Sequence, residues 1–188
     1  MDRAAAASAI EAFLRALGRT EPELAGTGAR VAQMFAEDLC AGYEVDTREL
    51  IAKSTIAGSM GQAPPSTLVV VRDLHIVTTC PHHLLPSIGT ATVAFQASGR
   101  LLGLGTVAAV VDAHARRLAL QEQLGEAIVA DLDQGLAPTW VGCRIVLTHG
   151  CMVARGERAV GTTVETVALR APDERRAEAY QALRVGGT

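Results

Sequence analysis

The sequence predicts an α+β domain, an antiparallel sheet with helices packed on one face, preceded by an N-terminal helical arm. Three observations carry this. Apolar residues recur at helical spacing near the start and in the middle of the chain; β-branched and apolar runs flank that middle stretch; and the runs follow the order strand, strand, helix, helix, strand, strand.

Residues 3–17 are rich in Ala and Leu, and 29–40 place Val31, Met34, Phe35 and Leu39 at helical spacing, so two amphipathic helices open the chain. Gly26, Gly28 and Gly42 punctuate them, and a stretch with Gly58, Gly61, Pro64 and Pro65 reads as a linker. This divides the chain into an arm with linker over 1–66 and a main domain over 67–188.

From Leu68 the texture turns β-branched. Residues 68–79 and 90–97 read as an antiparallel pair of strands, joined by a loop carrying Pro81, His82, His83, Pro86 and Gly89. Helices are expected at 105–115 and 118–134, the second with Leu120, Leu124, Ile128 and Leu132 four apart on one stripe. Strands at 139–149 and 159–170 complete the unit. In the first of them Val141, Cys143, Ile145 and Leu147 alternate with Gly142, Arg144, Val146 and Thr148, which gives one apolar face. The opposite sheet face needs cover from elsewhere, and open sheet edges invite pairing between subunits, so a homo-oligomer is expected.

The chain has 188 residues, 49% hydrophobic and 20% charged, with a formal net charge of -3. It is long enough to bury a core without disulfides. Its charge gives no overall attraction to nucleic acid or anionic membrane, so an anionic ligand must be gripped locally. No apolar run reaches the roughly 18 residues of a membrane span, and Asp2, Arg3 and Glu11 interrupt the Ala-rich start where a signal-peptide core would lie. A soluble, cytoplasmic protein is expected, whose cysteines (Cys40, Cys80, Cys143 and Cys151) are buried thiols or metal ligands and not a disulfide framework.

Cys80-Pro81-His82-His83 is a compact C-x-x-H unit, and His149-Gly150-Cys151 stands at the end of a predicted strand. The proposed topology brings both segments to one rim of the sheet. Two thiolates and one imidazole make three protein ligands, and tetrahedral zinc with three protein ligands keeps a position for water, the pattern of catalytic zinc. Such a metal lowers the pKa of its water toward about 7, an effect that thiolate ligands moderate. His82, His149 and Glu122 are the remaining polar candidates, since a histidine of near-neutral pKa can take or give a proton there. A lone C-x-x-H is common by chance, and it is the H-x-C partner that lifts the metal reading to equal standing with a plain loop. His75 and His114 lack such company and read as ordinary surface or core residues; Cys40 and Cys143 read as packed thiols, and Arg116 and Arg117 as solvated.

Four motifs go further: Cys80-x-His82-His83-Leu84-x-Pro86, Gly103-Leu104, Arg116-Arg117-Leu118-x-Leu120-Gln121-Glu122, and Thr148-His149-x-Cys151-Met152-x-x-Arg155-Gly156. Through them the stretch from about Val70 to Ala171 resembles the GTP cyclohydrolase I family, and the helical arm resembles that family's N-terminal region. The resemblance implies a tunnelling fold, two pentameric rings stacked into a homodecamer, active sites between subunits, and a cytoplasmic role in pterin and folate biosynthesis, with 67–188 as the catalytic domain. Carried over, Cys80, His83 and Cys151 look like the zinc ligands, and His82 and His149 like the proton-transfer histidines. Gln121 with Glu122 resembles the pair that recognises the guanine edge, and Arg155 a triphosphate-binding residue. In the family reaction zinc-bound water attacks C8 of GTP, the imidazole ring opens, formate leaves, and the ribose is rearranged and closed into 7,8-dihydroneopterin triphosphate.

The departures are specific. Pro81 stands where the family usually has Glu, Gly105-Thr106 where it has Ser-Lys, and Ala109 where it has a further triphosphate-binding Arg. Each lost charge-assisted phosphate contact is worth about 1.5–3 kcal/mol, so triphosphate binding weakens by orders of magnitude unless Arg30, Lys53, Arg72 or Arg158 compensates. Two alternatives therefore stand beside the GTP reading: a related enzyme for a less phosphorylated guanine or purine compound, and a zinc-binding homologue without catalysis. Retention of both His82 and His149 argues against the latter.

Overall fold

Asp2 and Asp46 each cap a helix, their carboxylates accepting from Ala5 N and from Arg48 N and Glu49 N respectively. In the computed structural model, residues 1–56, 67–156 and 158–184 are described, and the chain divides into two units, Met1–Ala41 and Gly42–Thr188.

The first unit pairs α1 (Arg3–Ala16) with α2 (Thr27–Met34). Gly28 N donates to Glu11 Oε1 at 2.7 Å, and a Cβ at Gly28 would lie 2.4 Å from Ala7 O, so glycine is what lets the helices approach there. The expected helix 29–40 starts at Thr27 and widens at its end into a π-helical segment, Phe35–Leu39.

The second unit opens with α3 (Thr47–Ser54) and β1 (Thr55–Ile56), followed by β2 (Leu68–Thr79), β3 (Pro86–Gln96) and β4 (Leu101–Leu102). Then come α4 (Leu104–Ala115), α5 (Gln121–Leu136), β5 (Trp140–His149), α6 (Gly150–Val153), β6 (Val164–Arg170) and α7 (Arg176–Leu183). The main sheet has the order β2-β3-β5-β6, antiparallel throughout, and β1 pairs with β4. Helices α4 and α5 cover one face: Val107, Val110, Ile128 and Leu132 pack with Val93, Phe95, Cys143 and Ile145, all essentially without exposure. Cys143 is a packed thiol, its pKa pushed up to about 12 by burial.

Four differences from the sequence reading have physical causes. β3 begins at Pro86, not at 90: Pro86 tolerates the first position of a strand, and Gly89 lies inside it because a Cβ there would sit 2.0 Å from Val146 O. The cover on the second sheet face is α7, which buries Ala179 and Leu183 against Ala94 and Trp140. Arg117 is not simply solvated: its Nε donates to Gly42 O at 3.0 Å and its guanidinium lies 5.8 Å from the Tyr43 ring centre. Arg116 is half-buried and ion-paired with Asp112 at 3.0 Å. The linker reading at 58–65, and with it the boundary at 66, falls outside the described residues. No helix among the described residues is long and apolar enough to cross a membrane.

Candidate active site

The connection between β2 and β3 closes on itself: Leu84 N donates to Cys80 O at 2.9 Å and Cys80 N to Leu85 O at 3.0 Å. Leu84 holds φ 52°, a left-handed conformation that a bulky residue keeps only where its surroundings impose it. In this tight turn Cys80 Sγ lies 3.6 Å from His83 Nδ1.

The second segment arrives by strand register. Thr79 pairs with Pro86, and Ser87 with His149, so the ends of β2 and β5 flank the start of β3. Past His149 the chain enters α6 at Gly150, where a Cβ would be 2.5 Å from Pro86 O. Glycine permits that approach, and the approach delivers Cys151 to the 80–83 turn. One donor atom from each of Cys80, His83 and Cys151 then lies within 4.8 Å of the others.

The donor set suits zinc. Tetrahedral bonds of about 2.3 Å to sulfur and 2.0–2.1 Å to nitrogen separate ligand atoms by roughly 3.4–3.8 Å, the range of the Cys80–His83 separation. Burial raises the Cys151 thiol pKa, and Cys80 alongside raises it further. A cation held between the two sulfurs reverses that preference by favouring the thiolates.

Helix α5 supplies the polar wall. Ala119 N donates to Thr79 O at 3.2 Å, which pins the helix start beside Cys80. Gln121 is 3% exposed; its Nε2 donates to Ile145 O at 3.1 Å and Val164 O at 2.9 Å, and its Oε1 lies 2.7 Å from His149 Nε2. Glu122 is exposed and opens on the same cleft, which also takes in His82, His83 and Cys151 and has a volume of about 210 Å³. His82 meets His83 edge to face at 6.2 Å between ring centres. Arg155 lies just outside, with Nη1 2.5 Å from His83 Nε2.

The structure thus gathers Cys80, His82, His83, Gln121, Glu122, His149, Cys151 and Arg155 in one place. It does not bring Gly105, Thr106 or Ala109 there: they lie on α4, and none lines the cleft. Three of the four suggested replacement cations are engaged elsewhere: Arg30 with Ala25 O and Thr27, Lys53 with Glu49 at 2.6 Å, and Arg72 with the Ala182 and Arg184 carbonyls. Arg158 follows Arg155 on the same loop, its N donating to Arg155 O at 3.2 Å. One residue escaped the sequence reading, Ser87, buried with Oγ 3.0 Å from His149 Nδ1. With Pro86 and Gly89 assigned to a loop, no register existed to set it opposite His149.

A family model described as GTP cyclohydrolase I matches residues 6–184. The GTP cyclohydrolase 1 of Teredinibacter turnerae is 35% identical over 148 residues, covering 79% of this chain and 77% of that protein. That of Leifsonia xyli is 35% identical over 171 residues, covering 90% and 87%. A solved structure, the archaeosine synthase QueF-Like in the apo form, aligns at TM-score 0.47 and 19% identity over 59% of this chain and 98% of that one.

Proposed function

The chain belongs to the GTP cyclohydrolase I family, and from that premise we propose that it is a hydrolase that opens the guanine imidazole ring of GTP at C8 and releases formate, leaving 7,8-dihydroneopterin triphosphate. The α+β unit with helices on one face of a four-stranded antiparallel sheet is the tunnelling-fold subunit. The observation that carries the reading is the convergence of Cys80, His83 and Cys151 within 4.8 Å at the mouth of a cleft that also holds His82, Glu122 and His149.

In this reading Cys80, His83 and Cys151 hold the metal, which is zinc. When bound, it supplies a Lewis acid that makes water nucleophilic near neutral pH. His82 and His149, which line the same cleft, would be the groups that give and take protons during ring opening. Glu122 offers a carboxylate to the paired N–H donors of the guanine edge. Gln121 works with it from the cleft wall, its amide already engaged with His149 and two carbonyls. Arg155, with Arg158 nearby, meets the phosphates.

A cleft of about 210 Å³ is small beside the roughly 300–1,000 Å³ of small-molecule sites. Among the described residues the outer edges of β2 and β6 also pair with no further strand, apart from a single bridge from Thr79 to Leu118. Both features support a ring-shaped homo-oligomer, a decamer of two pentamers, with sites completed between subunits, where α4 of one chain can serve the cleft of the next. A catalytic domain over 67–188, a cytoplasmic location and a role in pterin and folate synthesis belong to the same proposal.

A second reading has its own support: Gly105, Thr106 and Ala109 place no cation on α4, which favours a less phosphorylated guanine or purine compound. Formate release by the zinc-loaded protein given GTP, GMP or guanosine, with dihydropterin fluorescence after oxidation, tests both. Turnover of GTP at micromolar KM supports the first, and turnover confined to GMP or guanosine supports the second. Silence on all three brings forward a non-catalytic zinc-binding homologue.

A further inference from the structure

His149 is held at both ring nitrogens. Nε2 lies 2.7 Å from Gln121 Oε1, and Nδ1 lies 3.0 Å from Ser87 Oγ. The Gln121 amide has only one sensible orientation, because its Nε2 donates to the carbonyls of Ile145 and Val164; turned over, it would set an oxygen against two oxygens. Oε1 can only accept, so His149 must donate through Nε2–H. The neutral ring then carries its lone pair on Nδ1, and the Ser87 hydroxyl donates into it.

Ser87 is suited to this by its position as well as its chemistry. It is 1% exposed and stands directly across from His149 in the β3–β5 register, so its short side chain has one place to point. A hydroxyl both donates and accepts.

We infer that Ser87 is a positioning residue: with Gln121 it fixes the plane and the Nε2–H tautomer of His149. Its catalytic consequence rests on the reading of His149 as a proton-transfer group, whereas the tautomer does not. The tests are therefore separate. In the zinc-loaded, ¹⁵N-histidine-labelled protein, long-range ¹H–¹⁵N spectra are expected to show His149 as the Nε2–H tautomer with a hydrogen-bonded Nδ1. Ser87→Ala should move the Nδ1 resonance to that of a free or tautomerically mixed ring. It should lower kcat for formate release about tenfold, the effect of one ordinary hydrogen bond, with KM and zinc content unchanged. Ser87→Thr, which keeps the hydroxyl, should restore both readouts. Ser87→Cys, close in shape but a weak donor, should behave like Ala and replaces it if the alanine variant does not fold. A Nδ1–H tautomer in the parent protein, or a Ser87→Ala variant with unchanged spectrum and kcat, overturns the inference. If His149→Ala itself leaves kcat unchanged, it is the proton-transfer reading that fails, while the tautomer shift still decides the role of Ser87.

Discussion

His114 Nε2 lies 2.8 Å from Asp131 Oδ2, joining α4 to α5 beneath the surface, and Thr47 Oγ1 donates to the same oxygen at 2.5 Å from α3. Burial lowers the His114 pKa against the opposing pull of Asp131. Burial raises that of Asp131, but the hydrogen bonds from Thr47 and His114 outweigh it and the net shift is downward. Both groups therefore bind protons more readily unfolded than folded. Their contribution is present above the unfolded pKa values, about 6.5 for His and 3.9 for Asp, and is lost as pH falls through the lower folded values. Urea melts are expected to show stability declining as pH drops below about 6.5, and His114→Gln should flatten the first part of that decline. Asp131→Ala, which strands two buried donors, should cost about 2–4 kcal/mol at pH 7.

Two glycines should respond in opposite directions to the same substitution. At Gly89 an added Cβ meets Val146 O at 2.0 Å across the β3–β5 ladder, so Gly89→Ala must push two central strands apart. A loss of about 3 kcal/mol or more, or failure to fold, is expected. At Gly105 nothing lies within 4 Å, and the residue is exposed in the first turn of α4. Gly105→Ala should therefore raise stability by about 0.5–1 kcal/mol in thermal melts, by removing backbone entropy from the unfolded chain.

The contrast shows what sequence reading can reach. Hydrophobic period located β2, α4, α5 and β5 to within a few residues, since each buries one face: Val141, Cys143, Ile145 and Leu147 all show 0% exposure. Pro86 and Gly89 read as loop residues because their turn chemistry is local, while their strand role is imposed by β5 from about sixty residues away in sequence. Helices α3 and α7 were missed for a related reason. Their short apolar sets, such as Ile51 or Ala179 with Leu183, acquire meaning only against partners distant in the chain. In the site, residues with distinctive chemistry were legible from spacing. Ser87 was not, because a lone serine signals nothing until a register sets it opposite a histidine.

The three proposed ligands should fail together as a group, whereas the proton-transfer histidine should not affect the metal. Cys80→Ser and Cys151→Ser each leave two strong donors, and bound zinc by mass spectrometry or absorption spectroscopy should fall below stoichiometric. A lower Tm should accompany it, since metal that binds only the folded chain stabilises it. His149→Ala should retain zinc and lose formate release by a factor of about 10²–10⁴. Zinc lost in His149→Ala, or retained in both cysteine variants, would contradict the assignment.

Arg155 should aid phosphate binding. Its guanidinium stands just outside the cleft, with Nη1 2.5 Å from His83 Nε2, where its charge can meet an anionic group of the substrate. Arg155→Ala should raise KM for GTP by about 10- to 100-fold, the equivalent of one charge-assisted hydrogen bond, with bound zinc and Tm unchanged. An unchanged KM, or a KM that rises only together with zinc loss and a lower Tm, would refute the phosphate role.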